Sequence, residues 1–103
     1  MPNWQSEIGK WAEEAFGPIH DRARVAARAN EEMAELLRAA TSGAPIEKIA
    51  EECADIVIIL ARIAHAGGFD LLQEVQRKMA VNRTRTWTQD GTGHGYHERS
   101  RHG

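Results

Sequence analysis

Apolar and polar positions recur with the helical period along most of this chain. Trp4, Ile8, Trp11 and Ala15 form one stripe, which predicts a helix from about Asn3 to Phe16, ended by Gly17-Pro18. Ala26, Ala29, Met33, Leu36, Leu37 and Ala40 give the apolar face of a second helix, from about Ile19 to Ala40. Thr41-Ser42-Gly43-Ala44 is a turn, and Pro45 suits the first position of a third helix running to Ala66. Gly67-Gly68 is a C-cap signal. A fourth helix follows from about Phe69 to Arg83, with Leu72, Val75 and Met79 on its inner side. Beyond Trp87 the pattern stops, and no strand pattern is visible. The expected class is all-α: antiparallel helices in a four-helix-bundle-like domain over residues 1–87, with a Gly/His-rich, mobile tail over residues 88–103.

Length and composition narrow the class. A chain of 103 residues makes one small domain, and a core this thin gains from oligomerisation. The longest apolar run, Ile56 to Ala61, is too short to span a bilayer, and no secretory signal is visible at the N-terminus. The single Cys53 has no internal disulfide partner, so a reduced, cytoplasmic setting is expected. The net charge of −2 is unevenly spread. Seven acidic residues face two basic ones between Glu31 and Asp55, and six basic residues face two acidic ones from Gln76 onward. An acidic middle suits a bound cation, and a basic end suits an anion. With no clustered aromatics and no recognisable binding motif, a nucleic-acid partner is not expected.

The chemistry lies in two acidic pairs, Glu32 with Glu35 and Glu52 with Asp55, each at i,i+3 spacing on consecutive predicted helices. Folded antiparallel, the two helices can bring four carboxylates to one spot, which is strongly repulsive without a cation. On the second helix, Glu31, Glu32 and Glu35 lie mostly opposite the Met33/Leu37 stripe, so a solvated face alone explains them. On the third, Glu52 and Asp55 share the side of Ile59 and Ile63, and carboxylates are rarely buried unless paired or metal-bound. Lys48 and Arg62 are the local cations, and a salt bridge at the bundle edge is the alternative. All-oxygen ligation points to Mg²⁺, or Mn²⁺, rather than zinc. A di-iron bundle would need Glu three residues before His, and no histidine here has it.

The motifs resemble those of the MazG-like all-α nucleoside triphosphate pyrophosphohydrolases, a group that includes dimeric dUTPases and dCTP pyrophosphatases. Glu31-Glu32-Met33-Ala34-Glu35 is similar to the family's Glu-Glu-x-x-Glu, and Glu52-Cys53-Ala54-Asp55 to its Glu-x-x-Asp. Lys78, Asn82 and Arg85 are similar to its Lys-x-x-x-Asn-x-x-Arg segment. The resemblance covers about Trp4 to Trp87. It implies hydrolysis of a (deoxy)nucleoside triphosphate to the monophosphate and pyrophosphate, as nucleotide-pool house-cleaning. Glu32, Glu35, Glu52 and Asp55 would hold Mg²⁺, and Glu31 would either handle the attacking water or join the metal shell. Lys78, Asn82 and Arg85 would contact phosphates, sharing one helix face if the helix runs that far. Trp11 would either stack on a base or belong to core or subunit packing. The family also implies a homodimer or homotetramer. The alternative from another class is a non-catalytic helical oligomeric interaction protein of phage or mobile-element type.

Overall fold

The computed structural model describes residues 3–98 and contains four helices: α1 (Trp4–Phe16), α2 (Arg22–Thr41), α3 (Ile46–Gly67) and α4 (Leu71–Thr84). A short antiparallel hairpin follows, β1 (Trp87–Gln89) and β2 (Gly95–His97). The chain forms two compact units, the first ending at Leu71 and the second beginning at Leu72.

Each helix boundary in the first unit has a local cause. The Asn3 side chain accepts hydrogen bonds from the N–H groups of Gln5 and Ser6 and starts α1. Gly17, at φ 81°, ends it, and Pro18 keeps the preceding backbone extended. α2 begins at Arg22, later than its periodicity suggests, because Asp21 is extended and caps Ala23 N–H at 2.9 Å. Gly43, at φ 70°, turns the chain after α2, and Ala44 N–H donates to Ala39 C=O at 3.0 Å, a Schellman closure. Pro45 sits just outside α3 as its N-cap residue, and the left-handed Gly68 stops the helix as its C-cap.

Both α1 and α2 pack on α3. The α1–α3 contact is made of small residues: Gly9, Ala12, Ala61 and Ala64 are all buried. Gly9 is required, because a Cβ there would overlap the His65 side chain. Gln5 is buried with both ends of its amide used: Nε2 donates to Phe69 C=O at 2.7 Å, and Oε1 accepts from Leu71 N–H at 2.8 Å.

The packed stripe of α2 is not the expected one. Val25, Ala29, Glu32, Leu36 and Ala39, at alternating four- and three-residue steps, are the covered positions, whereas Met33 is 48% and Leu37 65% exposed. Ile49, Glu52, Ile56, Ile59 and Ile63 form the matching stripe on α3. Glu32 thus occupies a core register of α2 and not a solvated face, and Glu52 does the same on α3. Among the described residues no large side chain is fully buried; the buried hydrophobic core is Ala12, Ala39, Ala61 and Ala64.

In the second unit, Leu72, Val75 and Met79 of α4 are exposed, not turned into a core as expected. The segment after Trp87, read above as without strands, pairs Trp87 with His97, Thr88 with Tyr96 and Gln89 with Gly95. Its glycines are the reason. Gly91 and Gly93 supply positive φ in the loop, and Gly95 lies where any Cβ would strike the Thr88 carbonyl. Asp90 accepts from the Thr92 hydroxyl at 2.7 Å and the Thr92 N–H at 2.9 Å, which holds its carboxyl below the usual range. The Trp87 indole N–H ties the hairpin to α4 through Asn82 C=O at 2.8 Å. The remainder of the tail, residues 99–103, lies outside the described residues.

Candidate functional site

The two core-register acids meet. Carboxylate oxygens of Glu32, Glu52 and Asp55 lie within 4.8 Å of one another, brought together by the packing of α2 on α3. Glu52 is the most deeply placed, its side chain only 6% exposed. Its Oε1 accepts from Lys48 Nζ at 3.1 Å, while its buried Oε2 has no hydrogen-bond partner. Glu32, 15% exposed, has Arg28 Nη2 at 3.4 Å. Asp55 is exposed.

An anionic oxygen buried without a donor is strongly unfavourable unless something else supplies positive charge. Three converging carboxylates multiply that demand. An all-oxygen set of this kind, with open positions toward solvent, fits a hard divalent cation such as Mg²⁺ or Mn²⁺.

The other two acids of the expected set are engaged elsewhere. Glu35 pairs with Arg38 one turn on, and Glu31, 66% exposed, with Arg28 Nη1 at 2.8 Å. The hydrogen bond to Glu31, with the charge of Glu32, raises the Arg28 guanidinium above its ordinary value. The Lys48 ammonium is likewise raised, by its hydrogen bond to Glu52 and that carboxylate's charge.

Beside the acids lies an open cleft of about 520 Å³ in the first unit, within the size range of small-molecule sites. Glu32 and Asp55 stand in its lining. Trp11 and Phe16, also in the lining, meet edge to face with centroids 5.5 Å apart. Arg24, Arg28 and Arg62 supply its positive charge. Arg62 is held in place: it donates to Gly17 C=O at 2.9 Å and covers the Phe16 ring at 5.4 Å. Trp11, 54% exposed, is therefore a cleft residue and not part of the core of this chain.

Lys78 and Asn82 lie one turn apart on α4, in the second unit. The helix ends at Thr84, so the expected shared helical face does not extend to Arg85, whose N–H donates to Asn82 C=O at 3.2 Å. Arg24 and Arg28 were not legible as site residues by type. Arg28 does carry a signal in its spacing: it precedes Glu32 by four residues, as Lys48 precedes Glu52.

No protein-family model matches the chain, and no curated protein matches it. Among solved structures, the cyanophage S-2L MazG-like pyrophosphohydrolase, bound to dGDP and three catalytic Mn²⁺ ions per active site, is similar at 26% identity. The match covers 92% of this chain and 93% of that one, with a TM-score of 0.71. In fold, this chain is MazG-like.

Proposed function

We propose that the chain is a divalent-metal-dependent nucleoside triphosphate pyrophosphohydrolase, converting a (deoxy)nucleoside triphosphate to its monophosphate and pyrophosphate. The observation that carries the reading is the buried Glu52 carboxylate, one oxygen of it unpartnered, converging with Glu32 and Asp55 beside a cleft lined by aromatic and cationic groups. The similarity to a pyrophosphohydrolase that binds dGDP and Mn²⁺ supports it.

In this reading Glu32, Glu52 and Asp55 hold Mg²⁺ or Mn²⁺, and Glu35, one turn beyond Glu32, joins them on releasing Arg38. A metal held there would supply Lewis acidity and would acidify a water. Trp11 offers a ring face to the base. The arginines of the cleft balance the triphosphate charge, and Arg28 stands between that charge and Glu32. Lys78, Asn82 and Arg85 serve as further phosphate contacts, a role resting on the motif resemblance. Attack of water at the α-phosphorus breaks the bond to the bridging oxygen, which leaves with pyrophosphate. Glu31 orients the water or completes the metal shell. Clearing unwanted nucleotides in a cytoplasmic setting fits this chemistry, and among the described residues no helix is long and apolar enough to cross a membrane. A homodimer or homotetramer would cover the apolar side chains the single chain leaves exposed.

The test is product analysis with a panel of ribo- and deoxyribonucleoside triphosphates, in Mg²⁺, Mn²⁺ and EDTA. Monophosphate and pyrophosphate in equal amounts, abolished by EDTA, are expected. Release of single inorganic phosphate, or no turnover across the panel, would overturn the reading.

A further inference from the structure

The same charge arrangement occurs twice around the acid cluster. On α2, Arg28 reaches Glu31 at 2.8 Å and Glu32 at 3.4 Å. On α3, Lys48 reaches Glu51 at 3.6 Å and Glu52 at 3.1 Å. In each case one base, on the turn before, is shared between two adjacent acids. The first acid is open to solvent, with Glu31 66% and Glu51 72% exposed. The second is covered and belongs to the converging set, with Glu32 15% and Glu52 6% exposed.

A lone i,i+4 ion pair on a helix is a common surface feature of small energetic weight. These two pairs differ because each ends on a carboxylate in a core register and each has a second, exposed acid at hand. Three carboxylates this close repel one another, and the two bases supply the positive charge that permits the arrangement without a metal. Lys48 holds Oε1 of Glu52 and leaves Oε2 without a donor. One Glu52 oxygen is therefore uncommitted while Lys48 still holds the other.

We infer that Lys48 is a built-in place-holder for the metal, passing to the exposed Glu51 when a divalent cation binds. The inference rests on the metal reading proposed above. Lys48 is then a positioning residue whose charge opposes the metal. By reciprocity, whatever weakens the hold of Lys48 on Glu52 strengthens metal binding. Glu51 has the opposite sign, since it receives Lys48 as the metal takes Glu52.

The experiment is calorimetric titration of the full chain with Mn²⁺ alone, without nucleotide, with helicity checked by circular dichroism. Lys48→Gln should bind Mn²⁺ about tenfold more tightly than wild type, within the usual range of coupling between sites. Lys48→Arg, which keeps the charge, should stay near wild type. Glu51→Gln should bind several-fold more weakly, and this loss should vanish in the Lys48→Gln background, because no base then remains to be received. Two results would overturn the place-holder role while leaving the metal site intact: wild-type or weaker Mn²⁺ affinity in a folded Lys48→Gln variant, or an equal Glu51→Gln loss with and without Lys48. Absence of Mn²⁺ binding by the wild-type chain would remove the metal site itself, and the place-holder role with it.

Discussion

Glu52 is the most deeply buried acid of the converging set. It is buried in a register that packing would fill with an isoleucine, and one of its oxygens has no donor. A buried charge without full pairing is destabilising, so the metal-free chain is stabilised by neutralising it. Glu52→Gln keeps the shape and removes the charge. Without metal, its melting temperature should equal or exceed that of wild type. With Mn²⁺ at a hundred times the dissociation constant, the wild-type chain should gain about 2.7 kcal/mol. For a domain of this size that corresponds to a rise on the order of 10 °C or more. The variant should show no such rise and no metal-dependent turnover. A wild-type metal response in Glu52→Gln, read by the same thermal melts, would remove this residue from the ligand set.

Between elements, the α1–α3 contact depends on Gly9, whose missing Cβ leaves room for His65. The overlapped atoms include the His65 Cβ, which no rotamer change moves away, so Gly9→Ala should separate the helices and lower stability by about 1–3 kcal/mol. Adding His65→Ala should recover most of that loss in denaturant titrations; no recovery would mean that the glycine matters for another reason. The helices themselves were legible because their ends carry strong signals: Asn3, Gly17-Pro18, Gly43 and Gly68 stop or start them as their chemistry requires. The convergence of Glu32, Glu52 and Asp55 followed from i,i+3 spacing once two helices were taken to pack. The face of α2 was not legible, because Met33 and Leu37 are its most apolar neighbours and yet point outward, while Val25, Ala29 and Leu36 flank Glu32. A charged residue in the packed stripe weakens the very signal that marks the stripe. The hairpin escaped because strands of three residues carry no period, and Gly91 and Gly93, which supply the positive φ of its loop, carry no strand signal.

The outward position of Met33 and Leu37 has its meaning at the scale of the whole molecule. On the first unit, Leu37, Met33, Val57 and Leu60 are all more than a third exposed, on the two helices that carry the acids, and the buried hydrophobic core among the described residues is alanine alone. Alanine burial gives little stabilisation, whereas covering a leucine or methionine contributes about 1.5–3 kcal/mol. A chain this small, with its larger apolar groups outside, draws stability from a second copy. We propose that the active assembly is a homo-oligomer; folding and association would then be linked by mass action, and the melting temperature should rise with protein concentration. Light scattering on the wild-type chain should give a dimer or tetramer. Leu37 is 65% exposed, and Leu37→Asp should shift the mass to that of a monomer and lower the melting temperature, because a charge placed in the interface would oppose association. In a monomeric protein the same substitution would cost about 1 kcal/mol through helix propensity and the helix dipole, with no change of mass and no dependence on concentration. A wild-type monomer with a concentration-independent melting temperature, its mass unchanged by Leu37→Asp, would therefore sink the oligomer and leave the exposed apolar side chains without a partner of their own kind.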